Sequence, residues 1–201
     1  MRVIAGSAGG IRLAVPKRGV RPTMDRVKGA IFSSLGDAVI GARVLDLFAG
    51  SGALGIEALS RGASSAMFVE EDRQSADVIE SNLGKTKLTG RVRQQDVFDF
   101  LRHAHTAETF QIIFADPPYE KTKSGENFTE KLLANKELGQ LVDFAGIFVL
   151  EKRPGETLPE MKLWRITRQK TYGATEVLFL CQSDANTHRT PKALRAKLLK
   201  K

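Results

Sequence analysis

A single cysteine, Cys181, stands in a chain of 201 residues, so no disulfide can close within it. Its setting in the apolar run "VLFLC" suits a buried small hydrophobe. Only three histidines occur, His103, His105 and His188, and none pairs with a Cys or carboxylate cluster at metal-ligand spacing, so no metal site is predicted. No apolar run approaches the roughly 18 residues of a membrane span. The first ten residues, "MRVIAGSAGG", lack the long apolar core of a secretory signal. These absences predict a cytoplasmic protein in a reducing setting, with no membrane partner.

Acidic residues are scarce at both ends. Residues 1–36 carry seven Lys and Arg against one acid, Asp25, and residues 182–201 carry six against one, Asp184. The middle, 37–181, holds 18 against 21, so the overall +8 sits at the two ends of a slightly acidic body. Such ends commonly bind phosphate backbones, although a solvated surface with a loose tail would look the same.

Along the chain, "RVIAG" and "IRLAV" read as two short strands around a Gly-rich turn. Thr23 can cap a helix from about Met24 to Leu35, with Val27, Ile31 and Leu35 as its buried stripe and Arg26 and Lys28 outside it. From Arg43 strands and helices alternate: "RVLDLF", a helix 53–60, "AMFVE", a helix 72–83, "RVRQQ", a short helix 97–104, "QIIFAD", helical sequence 126–143, then "GIFVLE". That alternation predicts a mostly parallel sheet with helices on both faces. Beyond Pro154, two long strands meeting at Tyr172-Gly173 predict an antiparallel hairpin. Three regions follow: a hairpin-and-helix extension over 1–40, an α/β body over 41–182, and a basic tail over 183–201 expected to be disordered.

The stretch Gly50-Ser51-Gly52-Ala53-Leu54-Gly55 is a literal G-x-G-x-x-G between a strand and a helix, and Glu70 lies 20 positions after Gly50. Pattern alone reads this as a dinucleotide site. Asp46 argues otherwise, because a carboxylate at the tip of the first strand repels a pyrophosphate and suits a ligand bearing an ammonium group. S-adenosylmethionine is such a ligand. Glu70, ending the second strand, can accept two ribose hydroxyls. Asp96, ending the third, can take a hydrogen bond from the adenine amine or cap the helix that follows it.

The fourth strand ends in Ala115-Asp116-Pro117-Pro118-Tyr119. Pro-Pro is common turn punctuation. At this strand end it also suits transfer of a methyl group to an exocyclic nitrogen, which is a poor nucleophile needing orientation. Asp116 can accept one N–H, a backbone carbonyl of the turn another, and two prolines hold both acceptors rigid. Tyr119 offers a stacking face to a flipped-out base.

With "MRVIAGSAGGIRL", "RPTMDRVKGAIFSSL", "LDLFAGSGALGIEALSRGA" and "ADPPY", supported by "FVEEDR" and "QQDVFDFL", the chain over roughly 1–181 resembles the RsmD-type bacterial enzymes, the 16S rRNA (guanine-966-N2)-methyltransferases. It departs from them at Lys28-Gly29, where Arg-Glu is usual. The resemblance implies a class I methyltransferase: a Rossmann-like, mostly parallel seven-stranded sheet closed by an antiparallel hairpin. It implies S-adenosylmethionine as donor, guanine N2 of 16S ribosomal RNA as acceptor, the small ribosomal subunit as partner, and a monomer. The expected cofactor set is Asp46, Phe48, Ala49, Gly50, Ser51, Gly52, Glu70, Glu71, Asp96 and Val97, with Thr23 and Arg26 from the "RPTMDRV" turn. The expected catalytic set is Asp116, Pro117, Pro118 and Tyr119, and the expected RNA contacts are Arg2, Arg12, Lys17, Arg18 and Arg21. A DNA adenine-N6 or protein glutamine-N5 methyltransferase would more often carry Asn where Asp116 stands. A non-catalytic RNA-binding assembly factor would not need the rigid turn, and an NAD-dependent oxidoreductase would not place Asp46 at the strand tip.

Overall fold

The short apolar strand β1 (Arg43–Leu47) buries four of its five residues because both its faces are covered. A computed structural model describes residues 1–16, 25–104, 108–118 and 127–183. After β1 come α2 (Ala53–Ser60), β2 (Ser65–Glu70), α3 (Arg73–Thr86), β3 (Arg91–Gln94), α4 (Val97–His103) and β4 (Phe110–Ala115), preceded by α1 (Asp25–Leu35). Then follow α5 (Phe128–Ala134), α6 (Lys136–Leu141), β5 (Val142–Lys152), β6 (Trp164–Tyr172) and β7 (Thr175–Gln182). The strands form one seven-stranded sheet in the order β3-β2-β1-β4-β5-β7-β6. β3, β2, β1, β4 and β5 run parallel, and β7 enters antiparallel between β5 and β6. This is the class I methyltransferase sheet that the sequence predicts, hairpin included.

Alternation along the strands splits the core between the two faces. Val44, Phe68, Phe114, Val149 and Val177 pack with α1, α2 and residues of the N-terminal segment. Leu45, Val69, Ile113, Leu150 and Leu178 pack with α4, α5 and α6. Phe32 of α1 meets Phe114 at 5.7 Å between ring centroids, which seats α1 over β4.

Four expectations change in detail. The N-terminal strands reduce to one antiparallel bridge, Arg2 with Arg12. The turn between them gives its amides to α2 instead of to a ladder: Ser7 N–H donates to the Ser60 carbonyl at 2.8 Å and Ala8 N–H to Ser60 Oγ at 2.9 Å. Gly6 lies so close that a Cβ there would fall 1.8 Å from the Ser60 oxygen. The helical stretch 126–143 breaks at Asn135, whose side chain accepts from Leu138 N–H and starts α6 afresh. Cys181 is half-buried rather than buried, because β6 beside it is the sheet edge.

Lys28 is the fourth. It was placed outside the buried stripe of α1, yet its side chain is fully buried. The helix buries Phe32 beside Val27, Ile31 and Leu35, and this wider face takes in Lys28. Its ammonium donates to Glu57 Oε2 of α2 at 2.9 Å and to the Arg2 carbonyl at 2.6 Å. A charge is tolerated inside only with such partners.

Candidate functional site

The carboxyl ends of β1, β2 and β4 lie side by side in the sheet, the place where open α/β sheets bind ligands. The chain leaves β1 through Phe48, which has φ 55°, and Gly50 and Gly52, at φ 55° and 75°. Gly50 and Gly52 adopt the left-handed region freely, whereas a bulky residue such as Phe48 adopts it only when its surroundings impose it. Here Phe128 lies 5.5 Å and Phe98 6.2 Å from the Phe48 ring, holding it edge-on. Ala49, Gly50, Ser51 and Gly52 are buried in the turn. Gly55 faces the sheet, and a Cβ there would fall 2.3 Å from Phe68, so only glycine lets α2 settle on β2.

Two acids hold this loop. Glu70 accepts Gly50 N–H on Oε2 at 2.8 Å and Asp72 N–H on Oε1 at 2.9 Å. Asp46 accepts Gly55 N–H on Oδ2 at 2.8 Å and is almost wholly buried. Burial pushes the Asp46 carboxyl up to about 8 against that bond, and the charges of Asp116 and Glu70 push it further the same way. Burial also raises the Glu70 carboxyl, opposed by the Asp72 and Gly50 amides and aided by the charges of Asp72 and Glu71. Asp46, Glu70 and Asp116 therefore repel one another across three adjacent strand ends. The arrangement is incomplete without a cation and would oppose a pyrophosphate.

Asp96 caps α4, accepting Asp99 N–H on Oδ1 at 2.8 Å, and leaves Oδ2 for another donor. Val97 is buried as the first residue of that helix, and Glu71 is exposed beside Glu70. Asp116 is half-buried directly after β4, Pro117 is buried, and Pro118 is exposed. Arg26 is exposed on α1. Arg2 and Arg12 are exposed at their bridge, and Arg2 pairs with Asp25 at 3.6 Å. Thr23, Tyr119, Lys17, Arg18 and Arg21 lie outside the described residues. Among the described residues no cluster of His, Cys, Asp and Glu could hold a metal ion, and no helix is long and apolar enough to cross a membrane.

Sequence reasoning missed Asn82 and the aromatic wall. Asn82 of α3 is fully buried, donating to the Ser51 and Ala14 carbonyls at 2.9 and 3.0 Å and accepting Ala14 N–H at 2.8 Å. It ties the glycine loop to the N-terminal segment, across gaps of 31 and 68 residues that no local pattern announces. Phe98 and Phe128 stack 6.1 Å apart behind Phe48, with Lys131 Nζ 4.2 Å from the Phe98 centroid. "DVFDF" hinted at the first of these rings only.

Comparison with known proteins agrees with this geometry. The family described as conserved hypothetical protein 95 matches residues 1–181. The YlbH protein of Bacillus subtilis is 42% identical over 182 residues, covering 88% of this chain and 96% of its own. Ribosomal RNA small subunit methyltransferase D of Escherichia coli is 38% identical over 176 residues, covering 86% and 85%. The solved structure of the Escherichia coli protein YhhF superposes with a TM-score of 0.74 at 33% identity, covering 91% of this chain and 98% of that one.

Proposed function

Because the chain belongs to the conserved hypothetical protein 95 family, the RsmD-type methyltransferases, we propose that it transfers a methyl group from S-adenosylmethionine to the exocyclic N2 of a guanine in 16S ribosomal RNA. The observation that carries the reading is the set of three mutually repelling carboxylates, Asp46, Glu70 and Asp116, around a glycine turn and a Pro-Pro turn. A cationic donor fits that set. When bound, S-adenosylmethionine supplies a methyl group activated by its sulfonium.

The chain's own part is binding, orientation and exclusion of water. Asp46 meets the ammonium group, the free lone pairs of Glu70 take the ribose hydroxyls with Glu71 beside it, and Asp96 and Val97 bound the adenine. Phe48 to Gly52 line the floor, and Thr23 and Arg26 close the mouth. Asp116 and the Pro117 carbonyl accept the two amine hydrogens and aim the nitrogen lone pair, while Tyr119 stacks on the base. Methylated-nucleoside mapping of small-subunit RNA from a strain lacking the gene, before and after treatment with the purified protein, tests this. A restored N2-methylguanine supports it, and any other product overturns it.

The raised Asp46 carboxyl gives a pH signature. With its titration near 8, Asp46 is protonated at pH 7 in the free protein. A ligand ammonium favours the carboxylate and expels that proton. Affinity for S-adenosylhomocysteine should therefore rise between pH 6 and 8, by up to about tenfold per unit, and flatten above. About one proton should appear in calorimetry at pH 7 across buffers of different ionisation heat. Asp46→Asn should bind without either effect, and an unchanged slope in that variant removes Asp46 from the site.

RNA is gripped by the basic N-terminal segment in the same reading. Arg2 and Arg12 oppose each other across the bridge, a like-charge juxtaposition that an anion relieves. Together with Lys17, Arg18 and Arg21 they supply the phosphate contacts, which also offset the few kcal/mol of base flipping. The triple variant Lys17→Ala, Arg18→Ala, Arg21→Ala should lose affinity for the small subunit and show a shallower salt dependence, with S-adenosylmethionine affinity unchanged. Parent-like affinity and salt slope would reject this grip.

A further inference from the structure

We propose that Glu151 selects guanine, by accepting the N1–H of the acceptor base in the cavity beside Pro117 and Pro118; the inference rests on the methyl-transfer reading above. This cavity, about 430 Å³, lies between the Pro-Pro turn, Phe128 of α5 and the loop that leaves β5. Glu151, only 3% exposed, stands in its wall. The β4–β5 register pairs Ala115 with Leu150, and one step further sets Asp116 level with Glu151. The two carboxylates thus stand at neighbouring strand ends, on the same side of the sheet by alternation.

The cation next in sequence does not cancel that acidity at the cavity. Lys152 Nζ spends its three protons on Glu176 Oε2 at 2.7 Å, the Arg153 carbonyl at 2.9 Å and the Glu156 carbonyl at 3.0 Å. Glu176 is braced from β6 by Gln169 at 2.7 Å and Thr171 at 3.3 Å. The network ties β5, β7 and β6 together and fixes the loop 153–156 as a preset wall.

Such a wall rejects phosphate and takes a base edge rich in donors. Guanine presents N1–H beside its N2 amine, so Asp116 can hold the amine while Glu151 takes the neighbouring N1–H. Adenine presents an N1 lone pair, which a carboxylate repels. Selection at Glu151 is thus separate from chemistry at Asp116.

2-Aminopurine separates the two, since it keeps the N2 amine and lacks N1–H. Small subunits reconstituted with 2-aminopurine at the mapped target guanine should be methylated by the parent with kcat/KM about 10- to 100-fold below guanine subunits, the scale of a hydrogen bond to a charged group. In Glu151→Ala that ratio should fall towards one, and in Glu151→Gln, which keeps the shape, it should fall as well. S-adenosylhomocysteine affinity should not move in either. A purely structural Glu151 would depress both substrates alike and leave the parent's ratio intact, which overturns the inference. A parent that puts no methyl group on guanine N2 would instead overturn the reading it rests on.

Discussion

Asp116→Ala is expected to fold, to bind S-adenosylmethionine, and to transfer methyl groups at least about a hundredfold more slowly, the scale seen when a positioning or charge-stabilising group is removed. The exocyclic nitrogen shares its lone pair with the purine ring. Attack requires that pair to be turned towards the donor, and hydrogen-bond acceptors on the amine hydrogens do the turning. Asp116 follows β4 directly, so it inherits the rigidity of a central strand, and Pro117 and Pro118 fix the chain after it. Asp116→Asn keeps an oxygen acceptor at the same place and should retain more activity than the alanine variant. Asp116 also helps hold the Asp46 carboxyl up. Both variants should therefore shift the rise of cofactor affinity with pH to lower pH, which a merely disordered turn would not do. Single-turnover rates on small subunits, with calorimetric cofactor affinity from pH 6 to 9, read both effects. Near-normal turnover in Asp116→Ala would refute the role.

Much of this fold was legible because its signals are local. α2 runs from Ala53 to Ser60 as read, since a glycine turn opens it and a strand pattern resumes after it. The hairpin of β6 and β7 turns at Gly173, φ 60°, where the sequence has its only break in a long strand pattern. The carboxylates at three strand ends could be placed because a strand end is where an apolar run meets an acid. What escaped depended on distant partners. Asn135 splits a helix only because its side chain out-competes the backbone at that point. Asn82 matters through Ser51 and Ala14, and Glu151 through a strand register. Lys28 looked like a surface cation because nothing nearby in sequence told of Glu57, 29 residues on.

That hidden pair carries the largest expected effect on stability. Glu57 is fully buried and accepts four donors: Lys28 Nζ at 2.9 Å, Ile4 N–H at 2.7 Å, Ala5 N–H at 3.1 Å and Arg61 Nε at 2.7 Å. Burial alone would raise its carboxyl, but the Ile4 amide and Lys28, with Arg61 after them, outweigh it and hold the group below its usual range. Lys28→Met fills the same space and leaves the carboxylate short of its closest cation and the Arg2 carbonyl without its donor. Removing one partner of a buried pair costs about 3–5 kcal/mol, which for a chain of this size lowers the melting temperature by roughly 10 °C. The deficit should be full near pH 7 and should narrow as pH falls towards 4. There the variant's carboxyl, no longer held down by Lys28, takes up a proton and ceases to be a buried charge, while the parent loses the pair's contribution. Lys28→Met with Glu57→Gln should recover part of the loss, since an amide oxygen still accepts from Ile4 and Ala5 and no charge is stranded. The damage should centre on residues 1–13, whose amides the pair anchors to α2. Urea melts at pH 7 and 4.5, with hydrogen exchange at Ile4 and Ala5, measure this. A loss below about 1 kcal/mol with those amides still protected would mean that apolar packing of Val3, Ala8 and Leu13 holds the segment without the ion pair.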